Sequence, residues 1–99
     1  KLSASASSLI LFGSVARNEE DYTSDFDLCI VYVKNRTKIE DAVSKLRDKL
    51  YDDYKVTLAP FYILETDFKK KAKQNLSPVN NILKDGVLIT GKPIRELIK

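Results

Sequence analysis

The sequence predicts one small domain of the α+β class, residues 1–99, in which a mixed β-sheet of three or more strands packs against helices. Segments of strand length lie at residues 9–12, 28–33, 55–64 and 87–90. The second has no polar alternation, as expected of a strand covered on both faces. Between the second and third segments, apolar residues recur at helical spacing with charged residues opposite. These apolar residues are Ile39, Ala42, Val43, Leu46 and Leu50.

The composition is that of an ordinary globular domain. Hydrophobic residues make up 43% of the chain and charged residues 31%, which argues against intrinsic disorder. No apolar run approaches the roughly 20 residues that span a bilayer, and residues 1–8 lack the apolar core of a signal peptide. We therefore expect a cytoplasmic protein that does not bind membranes. The chain begins with Lys1 rather than methionine, which suggests that it was trimmed.

Residue types that are scarce in the chain exclude several kinds of catalytic site. Without histidine, neither Ser/His/Asp nor Cys/His catalysis is available, and the usual Cys/His zinc sites are excluded as well. The single cysteine, Cys29, lies in an apolar strand and is interpreted as a small buried side chain rather than a reactive thiol. The net charge of +3 suits an anionic ligand, but nucleic acid is not expected as a partner. The lysines within residues 69–73 are interpreted as a solvated helix face, with contact to a polyanion as the alternative.

The segment between the first two strands carries the candidate chemistry. The first strand ends at Gly13, residues 14–17 form one helical turn, and the polar loop 18–24 leads into the second strand. Glycine lets the backbone approach a bulky anion, and the free N–H groups of a helical turn attract phosphate. Asp25 and Asp27 are expected on one face of the second strand because side chains in a strand alternate with period two.

The later elements are marked by capping and breaking residues. The run Thr37-Lys38-Ile39-Glu40 is interpreted as a capping box that opens the first long helix. Pro60 lies within the third strand and predicts an edge position or a bulge. Thr66 is expected to cap a second helix, and Ser77-Pro78 to open a third, which ends at Gly86.

The two aspartates predict a metal site. Carboxylates that lie a few ångströms apart repel each other unless a cation lies between them. Mg²⁺ commonly binds one or two protein carboxylates together with the phosphates of a substrate. A phosphate-binding corner beside such a pair indicates a nucleotide site.

These residues also resemble a known family. Phe12-Gly13-Ser14, a gap of ten residues and Asp25-Phe26-Asp27-Leu28 are similar to the signature of the DNA polymerase β nucleotidyltransferase superfamily. Arg17 and Ser24 stand where the small bacterial and archaeal members, the minimal nucleotidyltransferases, carry them. Residues 82–91 resemble the tail of the same proteins, so the likeness covers most of the chain from residue 9 to residue 91.

The resemblance implies a nucleotidyltransferase fold and an activity. Members transfer a nucleoside monophosphate from a nucleoside triphosphate, here expected to be ATP, to a hydroxyl group and release pyrophosphate. Gly13, Ser14 and Arg17 would bind the triphosphate. Asp25 and Asp27 would be the catalytic residues and would hold Mg²⁺ or Mn²⁺. The acceptor would be a protein or a small hydroxyl compound, and the resemblance implies a partner subunit, either a helical protein of the HEPN class or a second copy of the chain.

Two of these assignments have simpler alternatives. Ser14 is also suited to cap a helix without any ligand. Arg17 is also suited to a surface ion pair, for which Glu19, Glu20 and Asp21 are candidates.

The sequence departs from the family pattern at one position. Members that catalyse transfer carry a third carboxylate on the strand after the Asp-x-Asp strand, and Thr57 aligns with it here. Asp53 and Glu65, the nearest acids, would lie about 13 and 26 Å away along an extended strand, too far to share the metals. The sequence therefore leaves open an enzyme, a catalytically weak nucleotide-binding or antitoxin-like subunit, and a plain mixed domain without a nucleotide site.

Overall fold

The computed structural model describes residues 6–13 and 26–99. Its elements in chain order are β1 (Ala6–Phe12), β2 (Phe26–Tyr32), α1 (Arg36–Tyr54), β3 (Leu58–Leu64), α2 (Glu65–Lys73), α3 (Val79–Asp85), β4 (Val87–Gly91) and α4 (Ile94–Leu97). The strands form one mixed sheet in the order β3-β2-β1-β4. The predicted α+β class is confirmed. No helix within the described ranges is long and apolar enough to cross a membrane.

The pairing of the strands fixes which residues meet at the start of β2. Strand β1 runs antiparallel to β2, with Phe12 opposite Asp27. Strand β3 runs parallel to β2, with Ala59 beside Asp27. Strand β3 lies at the edge of the sheet and, among the described strands, pairs with β2 alone, which confirms the edge position that Pro60 predicted. An edge strand tolerates proline because only one of its two sides forms hydrogen bonds within the sheet.

Strand β2 is buried on both faces, as its apolar sequence predicted. Cys29 and Val31 belong to a core with Phe68 of α2 and with residues of α3 and α4. Leu28 and Ile30 face the other way, into a second core with residues of α1. Burial raises the pKa of the Cys29 thiol to about 12, which supports a structural role for this side chain.

The predicted capping box at the start of the first helix is wrong. Helix α1 begins at Arg36, after Asn35 in the left-handed conformation, and no side chain caps it. Thr37 therefore lies inside the first turn. Glu40 instead accepts a hydrogen bond of 2.8 Å from Arg36 Nε, and the Arg36 guanidinium lies 5.3 Å from the Tyr62 ring. The Glu40 carboxylate, which a capping box would use to accept a backbone N–H, is therefore bound to the Arg36 side chain.

The later helices keep the predicted order with shifted starts. Helix α2 begins at Glu65 with no side-chain cap, so Thr66 lies within its first turn and the predicted cap is wrong. Helix α3 begins at Val79, directly after Pro78. Gly86 ends α3 as predicted, and its N–H donates to the Ile82 carbonyl at 2.8 Å.

Candidate functional site

The candidate site is built around a contact between the end of β1 and the start of β2. Gly13 follows β1 with a φ of +84°, a conformation that L-residues rarely adopt. Because Phe12 pairs with Asp27, Gly13 lies beside the aspartate side chain. A Cβ atom at Gly13 would lie closer than 3.0 Å to Asp27 Oδ2 and 3.2 Å from its Cγ. The Asp27 carboxylate therefore occupies space that only glycine leaves open.

Apolar packing holds this corner in place. The Phe12 and Phe61 rings meet edge to face with their centroids 6.4 Å apart, which ties the end of β1 to β3 across β2. Two residues beyond Asp27, Cys29 is fully buried in the same core. Asp27 itself is partly buried. Asp27 thus lies at the partly exposed end of a strand whose following residues are anchored in the core.

The β3 side of Asp27 offers no carboxylate. Ala59 is its register partner, and the Thr57 carbonyl accepts a hydrogen bond of 2.9 Å from the Phe26 N–H. The sequence comparison aligned Thr57 with the third acid of active family members, whereas the pairing places Ala59 directly beside Asp27. Neither residue can bind a metal through a carboxylate or act as a general base.

The two nearest acids, Asp53 and Glu65, form ion pairs away from Asp27. Asp53 lies on α1 and pairs with Lys49 at 2.9 Å. Glu65 lies at the far end of β3 from Asp27, where it accepts a hydrogen bond of 2.7 Å from Ser7 and pairs with Lys92 at 3.2 Å. The hydrogen bond from Ser7 and the charge of Lys92 lower the pKa of the Glu65 carboxyl group.

The structure brings together two of the five predicted site residues, Gly13 and Asp27. Ser14, Arg17 and Asp25 lie outside the described residues, so their place in a shared site remains a prediction from sequence spacing. Within residues 6–13 and 26–99, no group of three or more acidic, cysteine or histidine side chains could hold a metal ion. The predicted metal pair includes Asp25, beyond those ranges.

A pocket of about 430 Å³ lies at the amino end of β3, against the last turns of α1. It is lined by Arg47, Asp48, Tyr51, Asp52, Val56 and Thr57. Sequence reasoning gave this helix a packing role alone and missed the pocket. A signal was present, because residues 47 and 51 and residues 48 and 52 are spaced four apart and therefore share a helix face.

Comparison with known proteins identifies the family. Residues 2–88 match the family model described as nucleotidyltransferase domain. A crystal structure described as a toxin–antitoxin with AMP-PNP has a similar fold, with a TM-score of 0.56 and 15% sequence identity over 95% of this chain and 69% of that chain. At this identity the likeness shows the fold alone. Comparison with curated proteins gives no match. The match over residues 2–88 covers the glycine corner, the second core, most of the first core and the start of β4, and the chain belongs to the nucleotidyltransferase domain family.

Proposed function

We propose that this chain is a metal-dependent nucleotidyltransferase that transfers a nucleoside monophosphate from a nucleoside triphosphate to a hydroxyl acceptor. One observation carries the proposal: the Asp27 carboxylate lies against the Gly13 backbone at the end of β1, in space that any Cβ atom would fill. The family match makes nucleotidyl transfer the activity that such a corner serves best.

The residues at the corner suit a divalent cation and a triphosphate. Asp27 supplies a hard oxygen donor, and Asp25, two residues earlier in the sequence, would supply a second, which is enough for Mg²⁺ or Mn²⁺ when phosphates complete the coordination. When bound, such a cation would stabilise negative charge on the phosphate oxygens. Gly13, with Ser14 and Arg17 from the sequence motif, would bind and orient the triphosphate.

A second candidate is a catalytically weak nucleotide-binding subunit that acts through a protein partner, as an antitoxin does. Ala59 favours it, because no carboxylate lies beside Asp27 to accept the acceptor's proton. A positioned general base contributes a factor of about 10² to 10⁴, so its loss leaves slow chemistry. The similar fold of a toxin–antitoxin with AMP-PNP, an analogue of ATP, supports a protein partner, for which a helical HEPN-type subunit and a second copy of this chain are the candidates.

Radiolabelling separates the two candidates. The chain, alone and with a candidate HEPN-type partner, is incubated with ATP labelled at the α-phosphate and Mg²⁺ or Mn²⁺. Asp27→Asn is compared with Asp53→Asn, a matched control on α1 whose carboxylate pairs with Lys49. Label that is transferred by the control and not by Asp27→Asn supports the enzyme. A nucleotide-dependent rise in melting temperature without label supports the binding subunit, and the absence of both refutes the two proposals together.

A further inference from the structure

We propose that the exposed side of α2 binds the phosphate backbone of duplex nucleic acid through three lysines, Lys69, Lys70 and Lys73, which together form a lysine face. Such binding is independent of the proposed transfer reaction and gives the chain a further ligand. From the sequence alone, a net charge of +3 gave no reason to expect nucleic acid, and contact of residues 69–73 with a polyanion was only the alternative. The structure favours that alternative because it shows where the charge lies.

The charge of the domain is divided unequally between the two faces of its sheet. Helices α2, α3 and α4 pack on the face that carries Cys29 and Val31, whereas α1 packs on the face that carries Leu28 and Ile30. Helix α1 contains five basic and five acidic residues and is neutral. Residues 65–99, which include the other three helices, contain eight basic and four acidic residues, a net charge of +4. An anionic partner is therefore attracted to the α2–α4 side of the sheet.

The lysine face is continuous along α2. Lys73 lies four residues after Lys69 and three after Lys70, so the three side chains are neighbours on the helix surface. Phe68, on the other side of the helix, is fully buried in the core. The lysine face thus presents three ammonium groups within about 6 Å of the helix axis. Duplex DNA carries one negative charge per about 1.7 Å of its own axis, so several phosphates lie within reach of these groups.

No acidic side chain neutralises the lysine face. In the part of the chain that the structure describes, its three lysines form no ion pair and no side-chain hydrogen bond, and the exposed Asp67 of the same helix does not pair with them. Other cations on this side of the sheet are paired, since Lys92 lies 3.2 Å from Glu65 and Lys99 lies 3.2 Å from Glu96. The charge of the lysine face therefore remains available to a ligand from outside the chain.

The composition of the lysine face selects among anionic partners. A helix that binds a membrane inserts its apolar side, whereas the apolar side of α2, with Phe68 and Ala72, packs in the core of the domain. The buried centre of a protein interface is depleted in lysine and enriched in aromatic residues, and single strands are bound by stacking bases on aromatic rings. The lysine face contains no aromatic residue. A duplex needs none, because lysines bind its phosphates without reading the bases.

Fluorescence anisotropy with short duplexes of mixed sequence, one of DNA and one of RNA, tests the proposal without nucleotide or metal. Affinity is measured across a series of salt concentrations for the wild type and two variants. The test variant combines three substitutions in the lysine face, Lys69→Gln, Lys70→Gln and Lys73→Gln. The control variant removes the same charge from lysines that lie on or directly before α1 and are also unpaired in the described part of the chain, by Lys34→Gln, Lys38→Gln and Lys45→Gln.

We expect DNA and RNA duplexes to bind equally well, because both offer phosphates, and to bind more weakly as salt rises. Each lysine–phosphate contact contributes about 0.9 to the slope of log K against log salt, so the test variant should lower the slope by about 2 to 3 and the control by less than about 1. At low salt, the test variant should bind about ten-fold more weakly or worse. Amide chemical shifts of residues 69–73 should change when duplex is added to the wild type, a measurement that needs no variant.

Several results would overturn the proposal. Equal losses in the two variants would assign binding to net charge alone, and amide shifts confined to α1 would place the ligand on the other side of the sheet. Absence of duplex binding at low salt, or a strong preference for the RNA duplex, would exclude binding through phosphates. Tighter binding of phosphatidylserine vesicles or of polyglutamate would assign the lysine face to a membrane or to an acidic protein. None of these results bears on the proposed function, which label transfer and nucleotide-dependent melting test separately.

Discussion

Substitution of Gly13 by alanine should abolish most of the proposed nucleotidyl transfer while the domain still folds. The new Cβ atom would lie closer than 3.0 Å to Asp27 Oδ2, whereas ordinary contact begins at 3.4 Å. Backbone atoms of β1 and β2 are held by the sheet, so the end of the aspartate side chain is the part that moves. The carboxylate must shift by about half an ångström or more, beyond the tolerance of about 0.5 Å that productive site geometry allows.

The two consequences of this substitution differ in size. The left-handed φ of +84° makes alanine unfavourable by about 1 to 2 kcal/mol, a loss that a folded domain of this size tolerates. Misplacement of a catalytic group by about 1 Å can lower the rate by about 10²-fold. We therefore expect a 10- to 100-fold loss of nucleotidyl transfer, or of nucleotide binding with Mg²⁺, together with a modest fall in the free energy of unfolding.

A double-mutant cycle with Asp27→Asn provides the assay. Binding of ATP with Mg²⁺ is measured by titration calorimetry for the wild type, each single variant and the double variant, and urea unfolding reports stability for all four. If Gly13 acts by leaving room for the carboxylate, Gly13→Ala should have little further effect in the Asp27→Asn background. Equal losses in the two backgrounds would refute this reasoning and assign the glycine a separate role in backbone conformation.

Four further outcomes are expected. Gly86→Ala should destabilise the fold by about 1 to 3 kcal/mol in urea unfolding, because its Cβ would lie 2.5 Å from the Ile82 carbonyl oxygen; an unchanged midpoint would contradict this. Cys29 should react with a thiol reagent only as fast as the domain opens, and rapid labelling under native conditions would exclude the buried position. The pKa of Glu65 is lowered in the fold, so its contribution to stability is present above its ordinary value of 4.5 and is lost as the pH falls below it. Stability should therefore fall more steeply below pH 4.5 in the wild type than in Glu65→Gln, and parallel curves would contradict the assignment. Ala59→Asp should raise transfer by up to about 10²-fold if a general base is what the site lacks, and a larger gain from Thr57→Asp would favour the sequence alignment over the strand register.

Much of the fold could be predicted because its signals are local. The apolar run at residues 28–33, which has no polar alternation, predicted that β2 is buried on both faces, and Gly86 predicted the end of α3. The start of α1 was mispredicted because Glu40 had two possible partners, the backbone of a capping box and the Arg36 side chain. Local sequence gives no measure of which of the two partners Glu40 binds, and one of the two rings that Arg36 packs against, Tyr62, belongs to a strand distant in the chain.

The sequence motif named the residues that meet between β1 and β2, but it did not give the register between β2 and β3. Gly13 and Asp27 were named from the motif, and the antiparallel pairing of β1 with β2 brings them together. The sequence did not reveal that Ala59 is the residue beside Asp27 on β3, because a parallel pair joined through a 19-residue helix has no turn to set its register. The pocket at the amino end of β3 depends on how Lys55, in the left-handed conformation, turns the chain from α1 into β3, which a periodicity argument does not reveal.

In the proposed transfer reaction, the alanine beside Asp27 links the choice of acceptor to the rate. With a carboxylate in that register, the protein itself could remove the proton of an alcohol, and the acceptor would be free to vary. With Ala59 there, the barrier depends on how readily the acceptor gives up its proton, so a phenol should be transferred to faster than an alcohol of the same size and charge. The presence of Ala59 instead of an acid makes the chain look like an inactive binding subunit, and it also predicts which acceptors would reveal activity. A screen restricted to alcohols would report a protein that binds nucleotide and transfers almost nothing.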